Sequence, residues 1–239
     1  AISLIYRDGL LESAATRGNG RIGEDVTLNI KTIDSVPLKL RIPEGHVMPS
    51  TVEVRGEMYI PVKAFEALNK KLESEGKPIF ANPRNTAAGS IRQLDPAIAA
   101  SRGLAFVAWD LEADFGQETI EEEWGLLQEL GFKPAPESKR FDCLEETVTH
   151  WNALQKKRTA LPFWVDGMVV RVNNNEYFRA LGVVGKTPRG LVAWKFPAQE
   201  ATTKVKEIQW MVGRTGALTP VAFVEPTWIG GTTVQHASL

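Results

Sequence analysis

The stretch TVEVRGEMYIP, residues 51–61, decides the fold class, because polar and apolar side chains alternate along it and a helical pattern follows at once. Alternate positions from Val52 onward fall on one side of an extended chain, whereas Arg55 and Glu57 fall on the other. Residues 62–76, VKAFEALNKKLESEG, repeat their apolar positions with helical spacing and end in glycine. The stretch therefore predicts a strand with one buried face, followed by an amphipathic helix.

The same two patterns alternate outward from this stretch. Further strands are predicted at residues 1–6, 10–16, 103–112, 163–174 and 190–198. Further helices are predicted at residues 23–36, 119–132 and 143–158, with a loop leading into a short helix at 82–95. From residue 201 onward only strand patterns remain, at 204–214, 218–229 and 232–239. This order predicts an α+β fold followed by the opening strands of a small β domain.

Composition sets limits on the function. The chain has 239 residues and a formal net charge of −1, so any binding of nucleic acid must rest on local basic patches. The single cysteine, Cys143, excludes a disulfide framework and a cysteine zinc cluster, and it favours the cytoplasm. We find no signal peptide and no apolar run of transmembrane length, so no membrane contact is expected.

Lys195 is the one charged residue in the strand pattern GLVAWKFPA, residues 190–198. Burying an ammonium group is costly unless the group gains a partner. One interpretation is that Lys195 stands at a strand end and extends to water, as most lysines do. The other is that it holds an anion. The pattern by itself leaves both open.

Five arginines lie in or next to stretches marked by glycine or proline: Arg17, Arg84, Arg92, Arg158 and Arg214. An isolated arginine is usually a solvated surface residue. An arginine at a tight turn also suits the recognition of phosphate or carboxylate, because its guanidinium is planar and always charged.

Two acidic residues are candidates for a binding site. Glu57 is either one charge of a solvated strand face or an acceptor for ribose hydroxyls or a base edge. Asp166 lies among apolar neighbours on a strand that is expected to be buried, where a carboxylate needs a partner or a metal. Arg171, five positions on, is expected on the opposite side of that strand. These residues together give a weak indication of nucleotide or phosphate chemistry.

Six motifs follow one another along nearly the whole chain: SAATRGNGRIGEDVTLNIKTI, EVRGEMYIP, FANPRNTAAGSIRQLD, VDGMVVRVN, AWKFPA and VGRTGALTPVA. Together they resemble the motif series of bacterial NAD-dependent DNA ligases. The resemblance implies that residues 1–199 form a nucleotidyltransferase (ATP-grasp-like ligase) core of antiparallel sheets with flanking helices. It also implies that residues 200–239 form the first strands of an OB-fold barrel.

The resemblance further implies an activity. The enzyme would seal nicks between 3′-hydroxyl and 5′-phosphate ends of duplex DNA through enzyme-AMP and DNA-adenylate intermediates. NAD would donate the AMP, and Mg²⁺ would neutralise phosphate charge. The expected partner is nicked double-stranded DNA, and the protein is expected to be a monomer in the bacterial cytoplasm. Zinc is implied only for parts of the parent protein outside this chain.

The roles of site residues follow from the same resemblance. Arg17 matches an arginine that contacts the adenylate, Glu57 a glutamate that contacts the ribose, and Lys195 the lysine on the AMP phosphate. Asp166 matches an acidic residue of the metal or catalytic centre. Arg171 stands where the family has a lysine; it keeps the charge and could bind phosphate bidentately, so it is placed with both the catalytic and the cofactor residues.

DNA contact is assigned to four arginines: Arg84, Arg92, Arg158 and, in the β domain, Arg214. The first three match arginines implicated in nick binding or ligation. Arg214 is expected to face the DNA backbone from the OB fold.

One departure from the family concerns the nucleophile. The family carries it in a Lys-x-Asp-Gly motif immediately ahead of the strand that begins here at Ala1, and this motif is absent from the 239 residues. We therefore expect a fragment, truncated at both ends, that cannot adenylate itself. One alternative is a non-catalytic nicked-DNA or nucleotide-binding paralogue. The other is an ATP-dependent polynucleotide ligase or capping-type nucleotidyltransferase.

Overall fold

The computed structural model of the chain describes three ranges of residues: 1–20, 22–185 and 187–239. Arg21, which falls within the first motif, and Lys186 lie outside the described residues. The chain divides into two compact units, Ala1–Lys195 and Phe196–Leu239. Helices and strands are mixed in the first unit, and the strands pair antiparallel in the described sheets of both units, which confirms the α+β prediction.

The main sheet of the first unit has four strands in the order β2-β1-β3-β4. Their bounds are β1 Ile2–Arg7, β2 Leu10–Thr16, β3 Thr51–Tyr59 and β4 Ala105–Glu112. The predicted alternation in β3 is confirmed, because Val52 and Val54 are fully buried while Glu57 on the other face is exposed. The buried face carries the core, and the opposite face is free to carry polar side chains.

The first unit has seven helices in its described residues: α1 Thr27–Ile30, α2 Val62–Ser74, α3 Pro83–Ser90, α4 Pro96–Ala100, α5 Ile120–Leu130, α6 Leu144–Lys157 and α7 Asn175–Leu181. A 3₁₀ turn, Arg158–Ala160, follows α6. The ends of α5 follow from its sequence: Thr119 and Glu122 form a capping box, and Gly131 ends the helix in a left-handed conformation. Leu127 and Leu130 of α5 are fully buried in the core.

A second, two-stranded sheet, here called the ribbon, pairs β5 Gly167–Arg171 with β8 Leu191–Lys195. Helix α7 and a short hairpin, β6 Val183–Val184 with β7 Thr187–Pro188, lie between them in sequence. Strand β5 is shorter than the predicted 163–174. The reason is that Asn173 accepts a hydrogen bond from the backbone of Ile120 at the start of α5, and Asn174 caps α7.

The second unit is a three-stranded antiparallel sheet in the order β11-β10-β9. Its strands are β9 Val205–Val212, β10 Leu218–Ile229 and β11 Thr232–Ser238, which confirms the strands predicted from residue 204 onward. Within the described residues, no helix is both long and apolar enough to cross a bilayer.

Candidate active site

Two cations from separate elements meet at the carboxylate of Asp166. Lys195, the last residue of β8, places its Nζ 2.9 Å from Oδ1 of Asp166. Arg84, near the start of α3, places its Nη1 3.1 Å from Oδ2. Each of the three side chains is more than half exposed. We call Arg84, Asp166 and Lys195 the anion cluster, because two positive groups that open to solvent could also receive an incoming anion.

The sequence-based expectation that Asp166 lies on a buried strand is wrong. Asp166 directly precedes β5, and its side chain is 59% exposed. Its apolar neighbours gave a misleading signal, because Trp164 and Val169 are themselves exposed in the ribbon region. An exposed carboxylate needs no partner, but Asp166 nevertheless has two, Lys195 and Arg84. Partial burial raises the pKa of Asp166, but the hydrogen bond and charge of Lys195, with the charge of Arg84, outweigh burial and lower it.

The structure combines both interpretations of Lys195. The residue stands at a strand end with a side chain that is 61% exposed, as a solvated lysine would. Its ammonium is also held by a carboxylate, so it already binds an anionic group. The assignment of Lys195 to the AMP phosphate stays a prediction.

The start of β1 lies beside the two residues that the resemblance places against the adenylate. The carbonyl oxygen of Ala1 accepts a hydrogen bond from the backbone N–H of Arg17 at 3.2 Å, and Glu57 directly follows Gly56, the cross-strand partner of Ile2. Gly56 lets β3 and β4 approach closely beside Glu57, because a Cβ there would collide with the carbonyl oxygen of Val107. The backbone of Arg17, just after β2, and Glu57, in β3, therefore lie on the two sides of the start of β1.

Among the described residues, Arg171 does not contact the anion cluster, and its guanidinium instead contacts Asp110 and Phe178. Its Nη1 donates to Oδ1 of Asp110 in β4 at 2.6 Å, and its guanidinium carbon lies 4.3 Å from the ring centroid of Phe178 in α7. The side chain is only 18% exposed. Asp110 also accepts a longer bond, 3.4 Å, from Nη1 of Arg55. A short charge-assisted bond and a ring contact thus hold the Arg171 guanidinium in one place.

Three buried polar residues beside Arg171 escaped the sequence analysis: Asp110, Glu123 and Asn175. Oε1 of Glu123 accepts a hydrogen bond of 3.0 Å from the side-chain amide of Asn175. Burial raises the pKa of Glu123 to about 7, against the opposing charge of Arg171. One available signal was the capping residue Asn174 ahead of an apolar-spaced segment, which would have predicted α7 and hence Asn175.

The ribbon carries a cation at each end of one face. Lys195 pairs with Gly167 and Arg171 pairs with Leu191, and cross-strand partners point to the same face. The two cations are four residue steps apart along the ribbon, about 13 Å at the usual rise of a strand. The exposed pair Val169 and Ala193 lies between them. This separation is between backbone positions, and a ligand longer than one phosphate group can reach both residues.

The four arginines assigned to DNA have different surroundings. Arg84 joins the anion cluster, whereas Arg92 donates from Nε to the carbonyl oxygen of Ala88 and lies 3.7 Å from Glu24. Arg158 begins the 3₁₀ turn after α6. Arg214 lies in the second unit, in the turn between β9 and β10.

Among the described residues, no cluster of potential metal ligands surrounds Asp166. Both carboxylate oxygens of Asp166 accept hydrogen bonds from cations. Residues 1–20, 22–185 and 187–239 contain no group of three or more His, Cys, Asp or Glu side chains placed to hold a metal ion. We therefore assign no chemical step to a metal bound by these residues alone.

The family models and the related proteins that match this chain all belong to one family. A family model described as NAD-dependent DNA ligase adenylation domain matches residues 1–199, and one described as NAD-dependent DNA ligase OB-fold domain matches residues 202–239. The whole chain is 48% identical to a DNA ligase of Thermomicrobium roseum and 47% identical to one of Carboxydothermus hydrogenoformans. It covers 35% and 36% of those proteins, so it spans about a third of their length.

Proposed function

Because the chain belongs to the family of NAD-dependent DNA ligases, in which NAD is the adenylyl donor, we propose that it forms the adenylate pocket of an enzyme that seals nicks in duplex DNA. Residues 1–199 would be the nucleotidyltransferase core, and residues 200–239 part of an OB fold. The observation that carries the proposal is the anion cluster, where Lys195 and Arg84 converge on Asp166. Two convergent, solvent-open cations are what a phosphate ligand requires.

The chemistry assigns a charge-stabilising role to Lys195. The lysine of the family's Lys-x-Asp-Gly motif, which is absent from these 239 residues, would attack the adenylyl phosphorus of NAD, and the bond to nicotinamide mononucleotide would break. Negative charge builds on the phosphoryl oxygens, and Lys195 neutralises it from a fixed position at the end of β8. The AMP then passes to the 5′-phosphate of the nick, and the 3′-hydroxyl displaces it to close the strand.

The nucleoside half of the adenylate would lie along the ribbon. The exposed pair Val169 and Ala193 offers an apolar floor between the anion cluster and Arg171. Glu57 accepts hydrogen bonds from the ribose, and Arg17 contacts the adenylate. Arg171, about 13 Å from Lys195 along the ribbon, is assigned to the end of the nucleotide remote from the phosphate.

DNA would be held through its backbone. Arg92 and Arg158 in the first unit, with Arg214 in the second, supply positive charge for phosphate contacts that do not depend on sequence. Magnesium would enter with the phosphates of the nucleotide, because Asp166 is engaged by two cations. The protein would act as a monomer, and a DNA substrate implies work in the bacterial cytoplasm.

The test is the intact mass after incubation with NAD and Mg²⁺. It compares the 239-residue chain with a form extended upstream by the Lys-x-Asp-Gly motif. We expect an AMP adduct on the extended form alone, and none when ATP replaces NAD. An adduct on the 239-residue chain would show that another lysine is the nucleophile. No adduct on either form would favour a binding module without catalysis.

Substitution of Lys195 sharpens this test. In the extended form, Lys195→Ala should slow adduct formation by about two orders of magnitude, the usual effect of removing a group that stabilises transition-state charge. Lys157→Ala is the matched control. Lys157, the last residue of α6, also pairs with a carboxylate, because its Nζ lies 2.6 Å from Oε2 of Glu137. An equal effect of the two substitutions would remove Lys195 from the site.

A further inference from the structure

A second polar cluster, outside the anion cluster, surrounds Arg171. We call Asp110, Glu123, Arg171 and Asn175 the Asp110 cluster. Asp110, Glu123 and Asn175 are at most 8% exposed, which is unusual for carboxylates and amides. They come from β4, α5 and α7, so three elements of the first unit contribute to the cluster. None of these three residues has a role in the chemistry described above.

Asp110 is the residue of this cluster that fixes Arg171. Its Oδ1 accepts the bond of 2.6 Å from Nη1 of Arg171, and its Oδ2 accepts a longer bond of 3.4 Å from Arg55. Arg55 has two other carboxylates, Glu53 at 2.8 Å and Glu112 at 3.0 Å. Loss of Asp110 would therefore leave Arg55 paired, but would remove the hydrogen-bonded carboxylate of Arg171.

Glu123 does not replace Asp110 as the anionic partner. Its Oε2 has no hydrogen-bond partner among the described residues, and neither has Nε of Arg171. Burial also raises the pKa of Glu123 to about 7, so a large part of it is protonated at neutral pH. The charge that holds Arg171 near pH 7 is therefore mainly that of Asp110.

Phe178 supplies the second restraint. The guanidinium carbon lies 4.3 Å from the centroid of its ring, and a flat guanidinium can rest on a ring while it donates sideways to a carboxylate. An ammonium group lacks this plane. The surroundings of residue 171 therefore suit an arginine, whose guanidinium rests on the Phe178 ring and directs one edge to Asp110.

From this geometry we infer that Asp110 is a positioning residue of the adenylate pocket: it holds the Arg171 guanidinium at the end of the ribbon where the nucleotide binds. The inference rests on the proposed function. Asp110 does not touch the reacting atoms, and it acts through Arg171. Its loss should weaken the binding of NAD and leave the chemical step unchanged.

The experiment is a double-mutant cycle on the extended form under single-turnover conditions. Here KM is the NAD concentration that gives half the maximal rate constant of adduct formation, and kcat is that maximal rate constant. Asp110→Asn keeps the shape of the side chain and should raise KM about tenfold, as expected for the loss of a hydrogen bond between charged groups. It should leave kcat within about twofold. In an Arg171→Met background, Asp110→Asn should have no further effect on KM.

Each outcome of the cycle decides the inference. An unchanged KM in Asp110→Asn overturns it, and so does an undiminished effect in the Arg171→Met background, which would indicate a structural role. If thermal melting shows that Asp110→Asn is unfolded, Asp110→Glu replaces it. That variant keeps the charge but shifts the carboxylate, so positioning still predicts a raised KM, whereas a role in charge balance alone predicts none.

The failure of the proposed function can be told apart from the failure of this inference. If the unsubstituted extended form gains no AMP adduct from NAD, both fail together. If it gains the adduct and Asp110→Asn behaves like it, only the positioning role of Asp110 fails.

Discussion

Lys195 and Asp166 form an ion pair of 2.9 Å at the open end of the ribbon, and the second oxygen of that carboxylate is bound by Arg84. The carboxylate therefore occupies the two cations that are best placed to bind a phosphate. An anionic ligand that enters here must share Lys195 and Arg84 with Asp166. This relationship gives Asp166 a measurable effect on anion binding.

Asp166→Asn should strengthen the non-covalent binding of AMP by roughly threefold to fivefold at low salt. The reason is that the substitution removes a negative charge that competes with the phosphate, and exposed pairs of this kind contribute at most about 1 kcal/mol. Calorimetric titration with AMP measures the change. Asp142→Asn, at an exposed pair with Arg140, is the control and should change nothing. Weaker binding in Asp166→Asn would mean that Asp166 orients the cations instead of competing for them.

Glu123→Gln should alter the pH dependence of stability. Burial raises the pKa of Glu123 from 4.5 to about 7, so the folded chain keeps a proton that the unfolded chain loses. The free energy of unfolding therefore falls as pH rises from about 4.5 to 7, by about 3 kcal/mol, and levels off above that range. The glutamine variant should lack this part of the fall.

Urea unfolding at several pH values between 5 and 8 measures this difference. Glu129→Gln, which replaces an exposed acid on the same helix, serves as the control. Parallel curves for the unsubstituted chain and Glu123→Gln would show that Glu123 titrates normally.

Gly56→Ala should destabilise the first unit by about 1–3 kcal/mol. An added Cβ would collide with the ring of Phe106 and with the carbonyl oxygen of Val107, and the backbone atom cannot move aside easily. Gly125→Ala is the matched control, because its Cβ would enter open space on α5, and it should gain about 0.5–1 kcal/mol. Chemical denaturation measures both, and equal effects would show that β3 and β4 are not closely packed at Gly56.

Arg214→Ala should weaken the binding of nicked duplex DNA several-fold at about 0.1 M salt. If Arg214 contacts a phosphate, the slope of log K against log salt should also become less steep by about 0.9. Fluorescence anisotropy over a salt series measures both quantities. Arg140→Ala removes an exposed arginine of the first unit as a control. An unchanged slope would place Arg214 away from the backbone.

The sequence predicted the elements far better than the contacts between them. The alternation around Val52 and Val54 fixed which face of β3 is buried, because a local pattern decides that. The bond between Asp110 and Arg171 joins residues 61 positions apart, on strands of different sheets, and local pattern carries no information about such a meeting. Asp110 and Arg171 could be recognised as partners only from the structure, in which the ribbon and β4 lie side by side.

Two local errors have physical causes. Asp166 was expected to be buried because its neighbours are apolar, but a two-stranded ribbon leaves side chains such as Val169 uncovered at 61% exposure. Helix α7 was missed because Asn173 and Asn174 were assigned to the end of a strand. Here Asn174 instead caps the helix, and Asn175 is buried against Glu123.

The position of β1 inside the main sheet also has a consequence for the order of folding. The hairpin of β1 and β2 is local and can form early, but an isolated hairpin is only marginally stable. Its other edge pairs with β3, and the side chains of Ser3 and Glu53 that meet there are 50 residues apart in the chain. During synthesis the edge of β1 therefore stays unpaired until β3 has emerged, and closure of that long loop should limit the rate at which the first unit folds.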